Sequence, residues 1–308
     1  VQELTSGCQA CFSISSKMHV EGVTDLFHGI KGTWDLLECT DCGLVYIDPL
    51  IPESVIADYY PGDYAAYVAV EGVSHPLARF LKALAILPYT LRFGQPGYFP
   101  PPFGNARMLD IGCGAGLFIR EMSSLGWQGT GLDISAQAIE IAKRHNPEAK
   151  FIVGFFGEIE PDERFDLVTM HHILEHLHRP KKVIADCYRL LSPGGKFVVS
   201  VPNIASWEAK LFGRRWKGLD IPRHMVHFKE FVLLAMLEEA GFEIERKRTA
   251  MFASSIIESF IMCLPAALRR KLIHSRLGRI FYLLLLPLAA ISYFLGNRGV
   301  VEIIAIKN

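Results

Sequence analysis

The 308 residues predict an α/β protein built on a mostly parallel sheet, and three observations carry the prediction. The apolar run Ala106 to Ile111 breaks into Gly112-x-Gly114-x-Gly116 ahead of a helical pattern, the order of a buried strand, a glycine turn and a helix. A second strand ends in Asp133, seventeen residues past Gly116, where a carboxylate at a strand's carboxyl end can accept hydrogen bonds from a ribose diol. Further strand patterns follow at Phe151–Val153, Phe165–Met170 and Lys196–Val201, separated by helical ones. The implied ligand is an adenosine.

At the amino end, Cys8-x-x-Cys11 and Cys39-x-x-Cys42 lie 27 residues apart. Each pair can form a knuckle whose backbone amides point at the sulfurs, and a glycine after the second pair permits the turn. Four thiolates in two such pairs fit tetrahedral zinc, a closed site that organises a fold and does no chemistry. The rival redox reading belongs beside a βαβ unit, which is missing here. Residues 1–50 therefore read as a zinc-ribbon-like module with a hairpin around Trp34 to Glu38. Residues 51–104 read as a helical connector or lid, with a short helix over Pro52–Tyr60, a longer one over Pro76–Leu91 and a stiff linker at Gln95–Pro102. Between the helices Tyr59, Tyr60, Tyr64 and Tyr67 cluster, either as packing for the module or as a wall for substrate.

Composition narrows the function classes. Equal numbers of acidic and basic side chains, 32 of each, give no global field that would select nucleic acid. Seven cysteines, four of them in the two pairs, suit a metal site in a reducing cytosol and not a disulfide framework. Val1-Gln-Glu-Leu has neither the basic start nor the apolar core of a signal peptide.

The glycine spacing separates two cofactors. A dinucleotide turn reads G-x-G-x-x-G and faces a pyrophosphate; here the spacing is G-x-G-x-G, preceded by Asp110, which would repel phosphate. Leu109-Asp-Ile-Gly-Cys-Gly-Ala-Gly116 resembles the first motif of class I S-adenosylmethionine-dependent methyltransferases. The resemblance runs over residues 105–250 plus a final strand and implies a Rossmann-like sheet of seven strands, the seventh antiparallel. It implies S-adenosylmethionine as cofactor, held by Asp110, Gly112, Cys113, Gly114, Gly116, Asp133, Ile134, Met170 and His171. The acidic residue that the family often carries past strand 3 is replaced by Phe155-Phe156, for which stacking on adenine is the expectation.

The run His171-His-Ile-Leu-Glu-His176 looks like the family's fourth motif, in which "LEH" opens a helix. His172-x-x-Glu175-His176 also has the letters of a metalloprotease helix, which would need a third ligand and another fold. Ubiquinone-biosynthesis O-methyltransferases are similar at this loop, carry a carboxylate where His172 stands and are associated with a divalent ion. The other reading of Glu175 and His176 is a buried, hydrogen-bonded pair that fixes the loop. Beyond strand 5, Ile221-Pro-Arg-His-Met-Val-His-Phe228 lies where class I enzymes build the acceptor site. Histidine titrates near neutrality, so His227, His224 and His171 are the candidates for the base, with Tyr59, Tyr60, Tyr64, Arg223 and His172 as candidate substrate contacts. Together with "CGLVY" and Asp58-Tyr-Tyr60, this segment resembles zinc-bearing methyltransferases of sugar nucleotides, polyketides and other small biosynthetic intermediates.

The domain over 105–308 closes with strands at Phe242–Met251 and Val300–Lys307, so 252–299 is an insertion between strands 6 and 7. Ile280–Leu295 is almost wholly apolar and follows the basic cluster Arg269–Arg279, but its sixteen residues fall short of the ~20 a bilayer span needs. It reads as a helix packed on the domain or on a second subunit, as an interfacial helix at the inner membrane face, or as a lid. The expected protein is a cytoplasmic methyltransferase of a small or lipid-linked acceptor, transferring to oxygen or carbon. The alternatives are a silent, zinc-stabilised binding protein on the same fold and an NAD-dependent dehydrogenase.

Overall fold

The computed structural model describes residues 7–60, 98–250, 253–272, 285 and 296–308. Tyr64, Tyr67, the helix expected over Pro76–Leu91 and nearly all of Ile280–Leu295 lie outside them. The first three strands, β1 (Ser16–Val23), β2 (Trp34–Cys39) and β3 (Val45–Asp48), form antiparallel hairpins. The second cysteine knuckle, Cys39 to Cys42, is the turn between β2 and β3.

Seven strands build the main sheet: β4 (Arg107–Ile111), β5 (Gln128–Asp133), β6 (Lys150–Val153), β7 (Phe165–His171), β8 (Leu191–Pro202), β10 (Phe242–Ala250) and β11 (Val300–Lys307). Their order is β10-β11-β8-β7-β4-β5-β6, and β11 runs antiparallel to both neighbours. The central strands β4 and β7 are almost continuously buried, as a parallel sheet covered on both faces requires. Crossover helices supply the covers: α1 (Leu117–Ser124), α2 (Ala136–His145) and α3 (Pro180–Leu190). Ser135 caps α2, its hydroxyl accepting the Ala138 N–H at 3.2 Å, and Pro180 opens α3, where a missing N–H costs nothing.

Three local expectations change. β7 runs one residue further than its apolar run, so His171 ends a strand. The "LEH" segment is a single 3-10 turn, Leu174–His176, because His172 adopts φ +57 and its N–H donates to the Ser200 carbonyl, tying the chain to β8 where a helix would begin. Pro52–Tyr60 likewise reduces to a 3-10 turn over Ile56–Tyr59.

After β8 come α4 (Trp207–Phe212), a two-residue strand β9 (Val226–His227) and α5 (Glu230–Glu239). β9 leaves the main sheet and pairs antiparallel with β3, Val45 opposite His227 and Tyr46 opposite Val226. A boundary at residue 50 thus cuts a sheet that residues 226–227 complete, and one core joins Leu44, Tyr46, Val226 and Phe228 to the main sheet's Val199 and Val201. Between β10 and β11 lie α6 (Ala253–Met262) and α7 (Ala266–Leu272). Among the described residues no helix is long and apolar enough to cross a membrane.

Candidate active site

At the carboxyl end of β4 the chain enters Gly112–Gly116. Gly112 sits at φ +75 and a Cβ there would run into Ile173, so only glycine fits. Beside it, Asp133 ends β5 with Oδ2 accepting the Gly114 N–H at 2.9 Å and Oδ1 the Ser135 N–H at 2.8 Å. A carboxylate offers about four lone-pair directions, so two remain for a ligand's diol.

A cavity of about 1070 Å³ opens over this edge of the sheet. Ile111, Gly112, Asp133 and Ile134 form one end, with Gly154, Phe155 and Phe156 across from them. Ile134 and Phe155 are about half exposed, unusual for large apolar side chains and suited to enclosing a flat base beside the carboxylate. Cys113, Gly114 and Gly116 shape the turn and Met170 lies in the core of β7; none of these four lines the cavity. Nor does Asp110, which is buried beneath the turn with Oδ1 accepting the Thr169 hydroxyl at 2.7 Å. Burial, reinforced by the Asp133 charge and partly offset by Thr169, pushes its carboxyl up to about 7.

The cavity continues past His171 and His172 to His176, His224 and Tyr60, and its far wall is Trp216, Lys217 and Asp220 with Ser254, Ser255 and Glu258 of α6. Its volume exceeds the ~300–1,000 Å³ of a site for one drug-sized ligand, leaving room for a second molecule beside a nucleoside. The insertion's first helix contributes two hydroxyls and a carboxylate to that wall. Glu258 is raised above the usual carboxylate range by burial.

His224 donates from Nδ1 to the Gly218 carbonyl at 2.9 Å, and its Nε2 lies 3.9 Å from both Glu175 Oε1 and Asp220 Oδ2. Burial pulls it down to about 4, so it is neutral at pH 7. Tyr60 Oη and the Arg223 carbonyl both meet His176 Nδ1, at 2.9 and 3.0 Å. Glu175, His176 and His224 place ligand atoms within 4.8 Å of one another, and His172 Nδ1 is 3.3 Å from Glu175 Oε1. One carboxylate among three imidazoles is a donor set that can hold a divalent cation. His224 joins it from a distant loop, which no spacing rule finds.

Other expected contacts lie elsewhere. Arg223 is fully buried and does not line the cavity; it donates to Asp25 at 3.0 Å, to Asp220 at 2.9 and 3.1 Å and to the Tyr59 carbonyl at 3.2 Å. Burial alone would raise Asp220, but Lys217, His224 and Arg223 together hold it well below its ordinary range. Tyr59 packs edge-on against Trp34. His227, in β9, is buried and does not line the cavity, and burial pushes it down to about 3.

In the amino-terminal module Cys8 Sγ lies 3.5 Å from Cys42 Sγ, and Cys11 Sγ 3.5 Å from Cys39 Sγ, with all four thiols free. A zinc ion with bonds of about 2.3 Å to four sulfurs sets neighbouring sulfurs about 3.8 Å apart. The geometry fits that ion. The hydrogen bond from Cys42 lowers the Cys8 thiol and the same bond raises Cys42, so Cys8 is the first of the two to give up its proton.

A sheet in this order, a glycine turn under a cavity and an acidic residue at the neighbouring strand tip define a nucleoside-cofactor-binding α/β protein. Residues 77–247 match the family described as "Methyltransferase domain", and the chain belongs to it, within the class I S-adenosylmethionine-dependent methyltransferases. It is similar to the ubiquinone biosynthesis O-methyltransferase of Xanthomonas oryzae pv. oryzae, 34% identical over 153 residues, 46% of this chain and 64% of that protein. The protein of the same name from Xanthomonas campestris pv. campestris is 31% identical over the same shares. The chain thus spans less than two thirds of the length of these curated relatives. Among solved structures it is similar to a methyltransferase from Methanosarcina mazei, with 21% identity, 68% of this chain and 94% of that one covered, and a TM-score of 0.46. Another, from Mesorhizobium loti, has 20% identity, coverages of 73% and 99%, and a TM-score of 0.47.

Proposed function

We propose that the chain transfers a methyl group from S-adenosylmethionine to a hydroxyl of a small biosynthetic acceptor, which is a free or a lipid-linked molecule. The observation that carries this reading is one continuous cavity running from Gly112 and Asp133 to the histidines and the wall of α6. Ile134, Phe155 and Phe156 take the adenine and Asp133 the ribose; when bound, the cofactor supplies an electrophilic methyl carbon. His171 and His224 face the same space as neutral imidazoles, and one of them takes the acceptor's proton. Transfer to oxygen, not carbon, is favoured by the similarity to proteins named O-methyltransferases. The four cysteines hold a structural zinc ion.

Incubation with methyl-tritiated S-adenosylmethionine and a panel of phenols, catechols, sugar nucleotides and prenylated phenols tests the reading. Label in an acceptor with equimolar S-adenosylhomocysteine supports it; cofactor binding with no transfer to any class points to the silent binding protein. The stretch 264–298 is the proposed peripheral membrane contact. Sedimentation with anionic vesicles at low salt and release at high salt is expected, and no binding at low salt removes the contact.

A further inference from the structure

Four strands bring one polar residue each into a single row at the carboxyl edge of the sheet. His171 of β7 is in register with Ser200 of β8, Ser200 with Glu302 of β11, and Glu302 with Arg248 of β10. The row is bonded throughout. His171 Nδ1 is 3.1 Å from Ser200 Oγ, Ser200 donates to Glu302 Oε2 at 3.3 Å, and Arg248 Nε donates to Glu302 Oε1 at 2.5 Å. Ser200 and Glu302 are 4% and 5% exposed, which leaves the hydrogen bonds within the row as the compensation for burying them. His171 lines the cavity near Gly112, against the Phe118 ring, and its Nε2 has no partner.

The hydrogens of this row can be counted. Glu302, as a carboxylate, only accepts, and Ser200 has one hydrogen to give. If that hydrogen goes to Glu302, Ser200 accepts from His171 Nδ1–H and the ring's remaining atom, Nε2, carries a lone pair. The reverse assignment turns the Ser200 hydrogen towards the ring and leaves buried Glu302 Oε2 without the donor it has now, a charged acceptor that is costly to strand.

We propose that Ser200 and Glu302, backed by Arg248, are positioning residues that hold His171 as its Nδ1–H tautomer and leave Nε2 to accept the hydrogen of the methyl acceptor's hydroxyl. The proposal rests on the methyl-transfer reading above. A lone pair there selects an acceptor that arrives as O–H and repels one that arrives as an anion. As the hydroxyl oxygen bonds to the methyl carbon, the sulfur–methyl bond breaks and its electron pair stays on the sulfur of the departing S-adenosylhomocysteine; the proton lost by the hydroxyl resides on Nε2, and the Glu302 charge, felt through Ser200, stabilises the imidazolium until solvent takes the proton.

Long-range nitrogen–proton correlation spectra of labelled full-length protein at pH 7, with the His171 signals assigned by their loss in His171→Gln, read the tautomer directly. The wild type is expected as Nδ1–H, and Ser200→Ala as the Nε2–H form that free histidine favours. With an acceptor from the turnover panel, Ser200→Ala and Glu302→Gln should each lower kcat at least about tenfold, leave KM for the cofactor within about twofold, and be rescued at position 200 by Ser200→Thr. S-adenosylhomocysteine affinity, unchanged in calorimetry, certifies the fold of each variant. A wild-type ring that reads Nε2–H or doubly protonated, or Ser200→Ala with tautomer and kcat unchanged, overturns the proposal. Absence of turnover with every acceptor would count against methyl transfer, while the tautomer result would still decide the hydrogen-bond chain.

Discussion

Arg223 sits with no solvent exposure between Asp25 and Asp220, so its charge joins the amino-terminal module to the loop that carries His224. Replacing it by alanine leaves buried Asp25 without its counter-ion and takes from buried Asp220 its bidentate partner, with Lys217 remaining at 3.3 Å. The expected loss in urea unfolding is about 3–5 kcal/mol, with S-adenosylhomocysteine binding retained in the fraction that folds. An arginine that gripped substrate instead would give wild-type stability. The sequence marks Arg223 as polar among apolar neighbours, and that reading is equally true of a buried ion pair and of a ligand contact. Gly112 and Asp133 were legible because their positions follow from where a strand ends. The approach of His224 to Glu175 and the bond of Ser200 to Glu302 were not, since each joins segments far apart in the chain; the one available hint for the bond was a polar residue set inside the apolar runs Phe197–Pro202 and Val300–Ile306.

β9 is the element that makes the cysteine module part of the active-site region. Two residues long, it could not persist alone; it is held by β3, by the Ile47 N–H donating to the Met225 carbonyl at 3.0 Å and by the Met225 N–H donating to the Glu175 carbonyl at 2.9 Å. The Glu175 turn, the His224 loop and the module are therefore one mechanical unit. Stripping the proposed zinc ion with a chelator should raise amide exchange at Ile47 and over Val226–Phe228 at least about tenfold, because the β2–β3 turn is the second cysteine knuckle. Cofactor affinity, set at the other end of the cavity, should change less than about twofold. Unchanged exchange with lost cofactor binding would contradict this coupling. Sequence reading set the four-cysteine module apart at residue 50 because its spacing is local; a strand donated from 176 residues beyond that boundary has no local signature.

Across the whole molecule, buried titratable groups limit stability from both sides of neutrality. Asp110 is raised in the folded state from 3.8 to about 7, so its contribution is fully present below about pH 4 and is lost as pH rises towards 7. His171, His224 and His227 are lowered from 6.5 to about 4, 4 and 3, so theirs is present above pH 6.5 and is lost as pH falls towards those values. Thermal unfolding with zinc held in excess should show Asp110→Asn flattening the decline between pH 4 and 7, and His227→Leu, whose ring nitrogens have no hydrogen-bond partner, flattening the decline below pH 6.5. Parallel curves for variant and wild type would contradict the assignments. The individual parallel strands were legible because their burial is written into the sequence, and the seven-stranded sheet with its antiparallel last strand followed from the family resemblance carried by the glycine motif; the order of the strands came only with the structure. Tyr60 and His224 were named as candidates from the sequence and do line the cavity; the part that α6 takes in its wall was not foreseen, because packing alone brings that helix there. The role of Asp133 at the cofactor's ribose is read by titration calorimetry of S-adenosylhomocysteine into wild type and Asp133→Ala. Saturable binding to the wild type and at least about tenfold weaker binding to the variant are expected, as loss of a charged hydrogen-bond acceptor implies; no heat with the wild type, or equal affinity for both, would contradict that role.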